Sequence, residues 1–207
     1  MKIDVFSDIV CPWCFIGTER LTKTLESLGM AATARVTLHA FMLRSDTPRE
    51  GLNLQEELRA KYGTDPKAMF ERVESAARES GIPLDLSKQP RTYPTQWAHT
   101  LLRHAVGKGT QRELSRALFT AHFHEGRNIA DPEVLRGLAV AHGFTDEEAT
   151  RLLEDPRELE LTQRESAEAH QQGIRGVPFF IFNDRFAVSG AQPESVLREA
   201  LQRATAG

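Results

Sequence analysis

The chain has 207 residues, 40% of them apolar and 27% charged, with a net charge of −3. This is ordinary globular composition, long enough for one domain or two small ones with a good core. The charge balance gives no reason to expect nucleic acid or an anionic membrane as partner, and no apolar run approaches the roughly 20 residues of a membrane span.

In chain order, Lys2 to Phe6 reads as a buried strand. Asp4 and Asp8 interrupt any apolar leader, so no signal peptide is expected and the simplest localisation is cytoplasmic. The strand runs into Cys11-Pro12-Trp13-Cys14, which holds the only two cysteines of the chain. Residues 12–28 read as a helix, with Leu21, Leu25 and Leu28 at helical spacing and Gly29 as its C′ residue. Ala34 to Leu43 suits a second strand, making a β-α-β unit with parallel strands. After a polar link, Arg44 to Glu50, the character turns helical, with helices near 52–62, 65–80, 95–107, 110–124, 131–142, 145–153 and 155–172. Asp65-Pro66, Asp131-Pro132 and Asp155-Pro156 each place an N-cap Asp before Pro, and Thr145 with Glu148 forms a capping box. Strands resume at Pro178 to Phe182 and Arg185 to Ser189, joined by Asn183-Asp184, and Pro193 to Ala204 is a last helix. The fold class is α/β. Residues 1–45 and 155–207 are expected to form one discontinuous sheet domain, and 46–154 an inserted helical domain.

A strand that feeds a C-x-x-C at the start of a helix reads as a redox dithiol. Residues i and i+3 share a helix face, so the two sulfurs can meet. The helix N-terminus favours negative charge and so favours a thiolate, the species that attacks a disulfide. Pro12 suits the first helical turn. A structural disulfide here would close too small a loop to restrain the unfolded chain. A zinc site would need two more ligands, and neither His122 with His124 nor His99 with His104 has ligand spacing on a helix, so no metal is expected. In a reducing cytosol the dithiol would rest mostly reduced.

Gly176-Val177-Pro178 opens the apolar strand Phe179-Phe180-Ile181-Phe182. Paired with Cys11-Pro12-Trp13-Cys14, it resembles the thioredoxin superfamily, where a cis-proline loop faces the dithiol. That implies that the backbone of Val177 pairs with an extended substrate. The helical insertion narrows the resemblance to the DsbA-like branch, a thioredoxin fold with a large all-helical insertion. Within it the whole chain is similar to cytoplasmic FrnE-like oxidoreductases. The matching blocks are Phe6 to Gly17, Gly176 to Phe180, Val188 to Pro193, Ala98-His99, and Asn128 to Asp131. The family usually has Asn four residues before that Ala. Pro94 stands there in this chain, so a polar contact near the active site is expected to be missing or rerouted.

The resemblance implies that Cys11 is the exposed nucleophile and Cys14 the buried resolving thiol, which together reduce, oxidise or isomerise disulfides through a mixed disulfide. Pro12 and Trp13 would tune thiolate stability and meet the substrate. DsbA has His where this chain has Trp13, and a neutral ring implies a less oxidising potential. Asp8 is expected either to relay protons or raise the thiol pKa, or else to cap the loop or the helix start. Asp4 needs partners if buried. His99 is expected either to line a substrate groove or to be a satisfied interior histidine. No cofactor is expected beyond the dithiol, with glutathione open as a co-substrate. Partners would be protein or low-molecular-weight thiols and disulfides and a recycling thiol reductant, with oligomeric state left open. Two other readings compete. Kappa-class glutathione transferases and hydroxychromene-carboxylate isomerases share the architecture but usually carry serines at the places of Cys11 and Cys14. A redox-sensing, chaperone-like binding module is the other.

Overall fold

The structure is a computed structural model that describes residues 1–205. Lys2–Ser7 (β1) lies inside a sheet of four strands. Arg35–Ala40 (β2) runs parallel to it, with Lys2 opposite Arg35 and Ser7 opposite Ala40. On the other side Phe179–Phe182 (β5) runs antiparallel, with Val5 opposite Phe180, and Phe186–Ser189 (β6) forms the edge. Asn183 and Asp184 both have positive φ (49° and 56°), as the central residues of a type I′ turn require, and Arg185 N–H closes that turn on Phe182 O at 3.0 Å within a three-residue link between paired Phe182 and Phe186. The second strand stops at Ala40, short of the expected Leu43. Phe41 N–H still bonds Ser7 O at the end of β1, but the next two amides turn to other acceptors: Met42 N–H bonds Ser166 Oγ at 2.8 Å, and Leu43 N–H bonds the Asp8 carboxylate at 2.8 Å.

Pro12–Ser27 (α1) and Glu194–Thr205 (α9) cover one sheet face, where Leu21, Leu25, Leu197 and Leu201 meet Ile3, Val5, Phe180 and Phe182. Burying each such side chain stabilises the fold by about 1.5–3 kcal/mol. Between β2 and β5 the chain forms Leu54–Tyr62 (α2), Lys67–Glu79 (α3), Gln96–Lys108 (α4), Gln111–Phe123 (α5), Pro132–Ala141 (α6), Asp146–Glu154 (α7) and Pro156–Gln171 (α8). Asp131 and Asp155 cap α6 and α8, and the Thr145–Glu148 capping box opens α7. Two helix starts differ from expectation. Leu52–Asn53 (β3) pairs with Arg91–Thr92 (β4), and Asn53 caps α2 by accepting from Gln55 and Glu56 N–H, so α2 cannot begin at 52. Asp65 accepts from Lys67 N–H, and α3 begins after Pro66.

The helical segment meets the other side of α1. Phe15 stacks on Phe119 with centroids 5.1 Å apart, in a core shared with Ile16, Leu101, Leu114, Leu118, Leu135 and Leu152. α1 is thus packed between sheet and helices. Arg20, buried within it, bonds Ser80 Oγ at 2.7 Å, the Ala76 carbonyl at 3.2 Å and the Ala191 carbonyl at 2.7 Å, tying α3 to the loop before α9. The far sheet face packs Phe6 and Phe41 against Ala169 and Ile174 at and beyond the end of α8. A sheet flanked on both faces and interrupted by a block of helices is the α/β arrangement expected: a thioredoxin fold with a helical insertion.

Asp4, expected to need partners, finds them on that far face. His39 Nε2 lies 2.8 Å from Asp4 Oδ1, His39 Nδ1 lies 3.3 Å from Glu165 Oε1, and Lys2 Nζ lies 3.0 Å from Asp4 Oδ2. Burial works against charge on His39, but Glu165 and Asp4 outweigh it and raise its pKa. Burial likewise opposes charge on both carboxyls, yet hydrogen bonds from His39 and, for Asp4, from Lys2 hold them below their usual range. The raised histidine contributes stability that is complete below its unfolded pKa of 6.5 and lost as pH climbs through the folded value. The lowered carboxylates contribute stability present above their unfolded values of 3.8 and 4.5 and lost as pH falls through the folded ones. Urea midpoints measured across pH are therefore expected to peak between roughly pH 5 and 6.5. His39→Gln is expected to flatten the decline on the alkaline side.

Candidate active site

The dithiol sits where β1 hands over to α1. Cys11 is the N-cap of α1, in extended backbone, and its N–H bonds Asp8 O at 3.1 Å. No side chain caps this helix and its first turn holds no acid, so the positive end of the helix is left for the Cys11 sulfur. Cys14 lies one turn on, inside the protein.

Both cysteines are free and buried. Cys14 is 0% exposed, as a resolving thiol should be, but Cys11 is only 6% exposed rather than open to solvent. The reason is the loop opposite. Val177–Pro178 is cis, and the Val177 carbonyl oxygen lies 3.9 Å from Cys11 Sγ, within reach of the thiol as donor. Half-buried Val10, Trp13 and Val177 pack against the core that contains both cysteines. Cys11 is therefore open to solvent only narrowly, between the motif and the Gly176-Val177-Pro178 loop. Two clefts of about 700 and 310 Å³ lie elsewhere, one lined by Arg136, Asp146 and Pro156 and the other by Thr22, Val36 and Arg112. Neither is lined by a residue of the dithiol.

The environment separates the two thiols. Burial pushes the Cys14 thiol well above its ordinary pKa of 9.0, and the hydrogen bond and charge of Cys11 push the same way. The Asp8 N–H, donating to Cys14 Sγ at 3.5 Å, pulls in the opposite direction. Cys14 thus keeps its proton while Cys11 sits at a helix N-terminus.

Asp8 does not cap α1 with its side chain. One carboxylate oxygen accepts Leu43 N–H at 2.8 Å, and the other lies 3.3 Å from His99 Nε2. Asp8 is 1% and His99 3% exposed, so His99 lines no groove: it is an interior histidine held against Asp8, behind the dithiol. Pro94 is buried, and the polar contact from α4 to Asp8 comes from His99. His122 is fully buried and its pKa falls to about 3, chiefly through desolvation, so it is neutral. Gln89 Nε2 donates to its Nδ1 at 3.1 Å and to its carbonyl at 2.7 Å, which makes it a satisfied core residue.

Sequence reading did not single out Gly17. A Cβ there would lie 2.8 Å from Pro178 Cγ and 3.2 Å from the Phe180 ring, so only glycine lets α1 approach the Pro178 loop this closely. The signal was present in the Ile16-Gly17 that ends the first matching block, but its spatial cause lies over 160 residues away. Gly17→Ala is expected to destabilise the protein by about 1–3 kcal/mol through overpacking, read as a lower urea midpoint, and to speed alkylation of Cys11 as the loop is pushed off.

The chain is similar over its whole length to proteins of known structure. It superimposes on a probable DsbA oxidoreductase from Streptomyces coelicolor with TM-score 0.89 and 30% identity, covering 100% of this chain and 90% of that one. The cytosolic disulfide reductase DsbM from Pseudomonas aeruginosa, in a structure with glutathione, shares the fold with TM-score 0.71 and 17% identity, covering 100% of both chains. A 2-hydroxychromene-2-carboxylate isomerase does so with TM-score 0.75 and 16% identity, covering 99% of this chain and 96% of that one. Residues 2–202 match the DSBA-like thioredoxin domain, and the chain belongs to that family.

Proposed function

We propose that the protein is a thiol–disulfide oxidoreductase whose dithiol, Cys11 and Cys14, reduces disulfides of a reducing compartment, the cytoplasm. One observation carries the reading. A fully buried thiol with a raised pKa lies behind a second thiol that alone reaches the surface, at a helix N-terminus and opposite the Val177 carbonyl.

The Cys11 thiolate attacks one sulfur of a disulfide RS–SR. A Cys11–S–S–R bond forms, the substrate S–S bond breaks, and one RS⁻ leaves and takes up a proton. Cys14 then loses its proton and attacks the Cys11 sulfur, the second RS⁻ leaves, and a Cys11–Cys14 disulfide remains. Two electrons have passed from dithiol to substrate, and a thiol reductant such as glutathione returns them. The Val177 backbone aligns the substrate as an added strand. Pro12 starts the helix and Trp13 offers an apolar face beside the sulfurs. Asp8 serves the second step. Its N–H steadies the forming Cys14 thiolate, and its carboxylate, positioned by His99, accepts the proton. No cofactor beyond the dithiol takes part.

The fold shared with the chromene isomerase keeps a second reading open, that of a glutathione-dependent isomerase in which Cys11 only assists a bound thiolate. The two separate cleanly. Cys14→Ser is expected to accumulate a Cys11 mixed disulfide visible by mass spectrometry, and Cys11→Ser to lose all disulfide reduction. An isomerase would form no trapped adduct and would keep activity as Cys11→Ser.

Asp8→Asn is expected to slow resolution of the mixed disulfide by roughly 10²-fold near pH 7, the usual worth of a general base. The deficit should shrink as rising pH deprotonates Cys14 without help. A loss independent of pH would reduce Asp8 to a purely structural role.

A further inference from the structure

Both tryptophans of the chain carry an arginine. The Arg72 guanidinium carbon lies 5.8 Å from the Trp13 ring centroid, and that of Arg49 lies 4.3 Å from the Trp97 centroid. Both arginines are exposed, and both rings pack against the core that contains Cys11 and Cys14. Among the described residues neither guanidinium has a carboxylate or carbonyl acceptor, although Glu50 and Glu71 are their neighbours in sequence.

Their placement ties them to the dithiol. Trp13 lies between the two cysteines. Trp97 stands two residues before His99, whose ring meets Asp8. Arg49 lies in the loop between β2 and β3 that also holds Leu43, whose N–H donates to Asp8. The backbone there is pinned by Asn128 Nδ2 on Arg49 O at 3.4 Å and by Arg91 Nε on Glu50 O at 2.9 Å. Arg175 is exposed two residues before Val177, whose carbonyl oxygen lies 3.9 Å from Cys11 Sγ.

A guanidinium seated on an aromatic face keeps its N–H edge free and loses little further freedom when it binds. That edge fits a carboxylate bidentately. We propose that Arg72 on Trp13 and Arg49 on Trp97 form a carboxylate-binding rim beside Cys11, and that the preferred substrates are disulfides carrying carboxylates. The inference rests on the oxidoreductase reading above and names its substrate class. Glutathione disulfide and an acidic disulfide-linked peptide share this chemistry, and both serve as probes.

The experiment compares initial rates of disulfide reduction at low ionic strength for the wild type, Arg72→Gln, Arg49→Gln and the double variant. The probes are glutathione disulfide, an acidic disulfide-linked peptide, the same peptide with Gln for Glu, and uncharged 2-hydroxyethyl disulfide. The ratio of kcat/KM for an anionic probe to that for its uncharged counterpart is expected to fall about fivefold to tenfold in the double variant, the worth of two exposed charge pairs. Added salt should produce the same fall in the wild type. A fall confined to glutathione disulfide assigns the rim to small thiols, and one confined to the peptide assigns it to protein substrates. An unchanged ratio on both anionic probes overturns the rim while leaving the oxidoreductase reading intact. A wild type that reduces none of the four, uncharged disulfide included, overturns that reading and the rim with it.

Discussion

Asp8 joins the end of β1, the loop after β2, and α4. Its backbone N–H donates to Cys14 Sγ, one carboxylate oxygen accepts Leu43 N–H, and the other meets His99. A buried carboxylate is tolerated only when its oxygens are occupied by donors, and removing one partner of such a group costs about 3–5 kcal/mol. This constraint explains why three segments distant in sequence converge behind the dithiol. It also explains why β2 ends where it does, because the amide of Leu43 has left the sheet to satisfy Asp8. The Pro178 loop approaches from the opposite side, and Gly17 admits it.

The division of labour between the sulfurs follows from packing. α1 is covered by the sheet on one side and by the helical block on the other, so its inward-facing residues, Cys14 among them, lose all contact with water. Desolvation penalises the Cys14 thiolate. Cys11, at the N-cap, keeps the helix terminus and a small opening. A dithiol whose inner thiolate is penalised by burial holds its electrons less tightly, which suits the donation to substrates proposed above. The fold shared with a cytosolic disulfide reductase and a 2-hydroxychromene-2-carboxylate isomerase shows how little of the chemistry the scaffold decides.

The local structure of single motifs was legible in the sequence, and contacts between distant residues were not. Cys11 to Cys14 announces itself because spacing and helix position are local properties. Gly176-Val177-Pro178 gained meaning only beside it. The Asp–Pro and Thr–Glu helix starts were readable because a cap bonds within its own turn. Asp8 and His99 were each noticed, but 91 residues separate them, and no local pattern states that they touch. The same holds for Arg20 with Ala191 and for His39 between Asp4 and Glu165. The β3–β4 pair was missed because two-residue strands carry no alternation to detect. The near-closure of Cys11 depends on the loop across from it, which the sequence places but does not orient.

The most direct measurement is the equilibrium of the wild-type dithiol across glutathione redox buffers, followed by Trp13 emission and by mass. The account predicts a reversible intramolecular Cys11–Cys14 disulfide, absent in Cys14→Ser, with a potential well below the value of about −120 mV for DsbA and toward the value of about −270 mV for thioredoxin. Failure to form a reversible disulfide, or one as oxidising as that of DsbA, would contradict it.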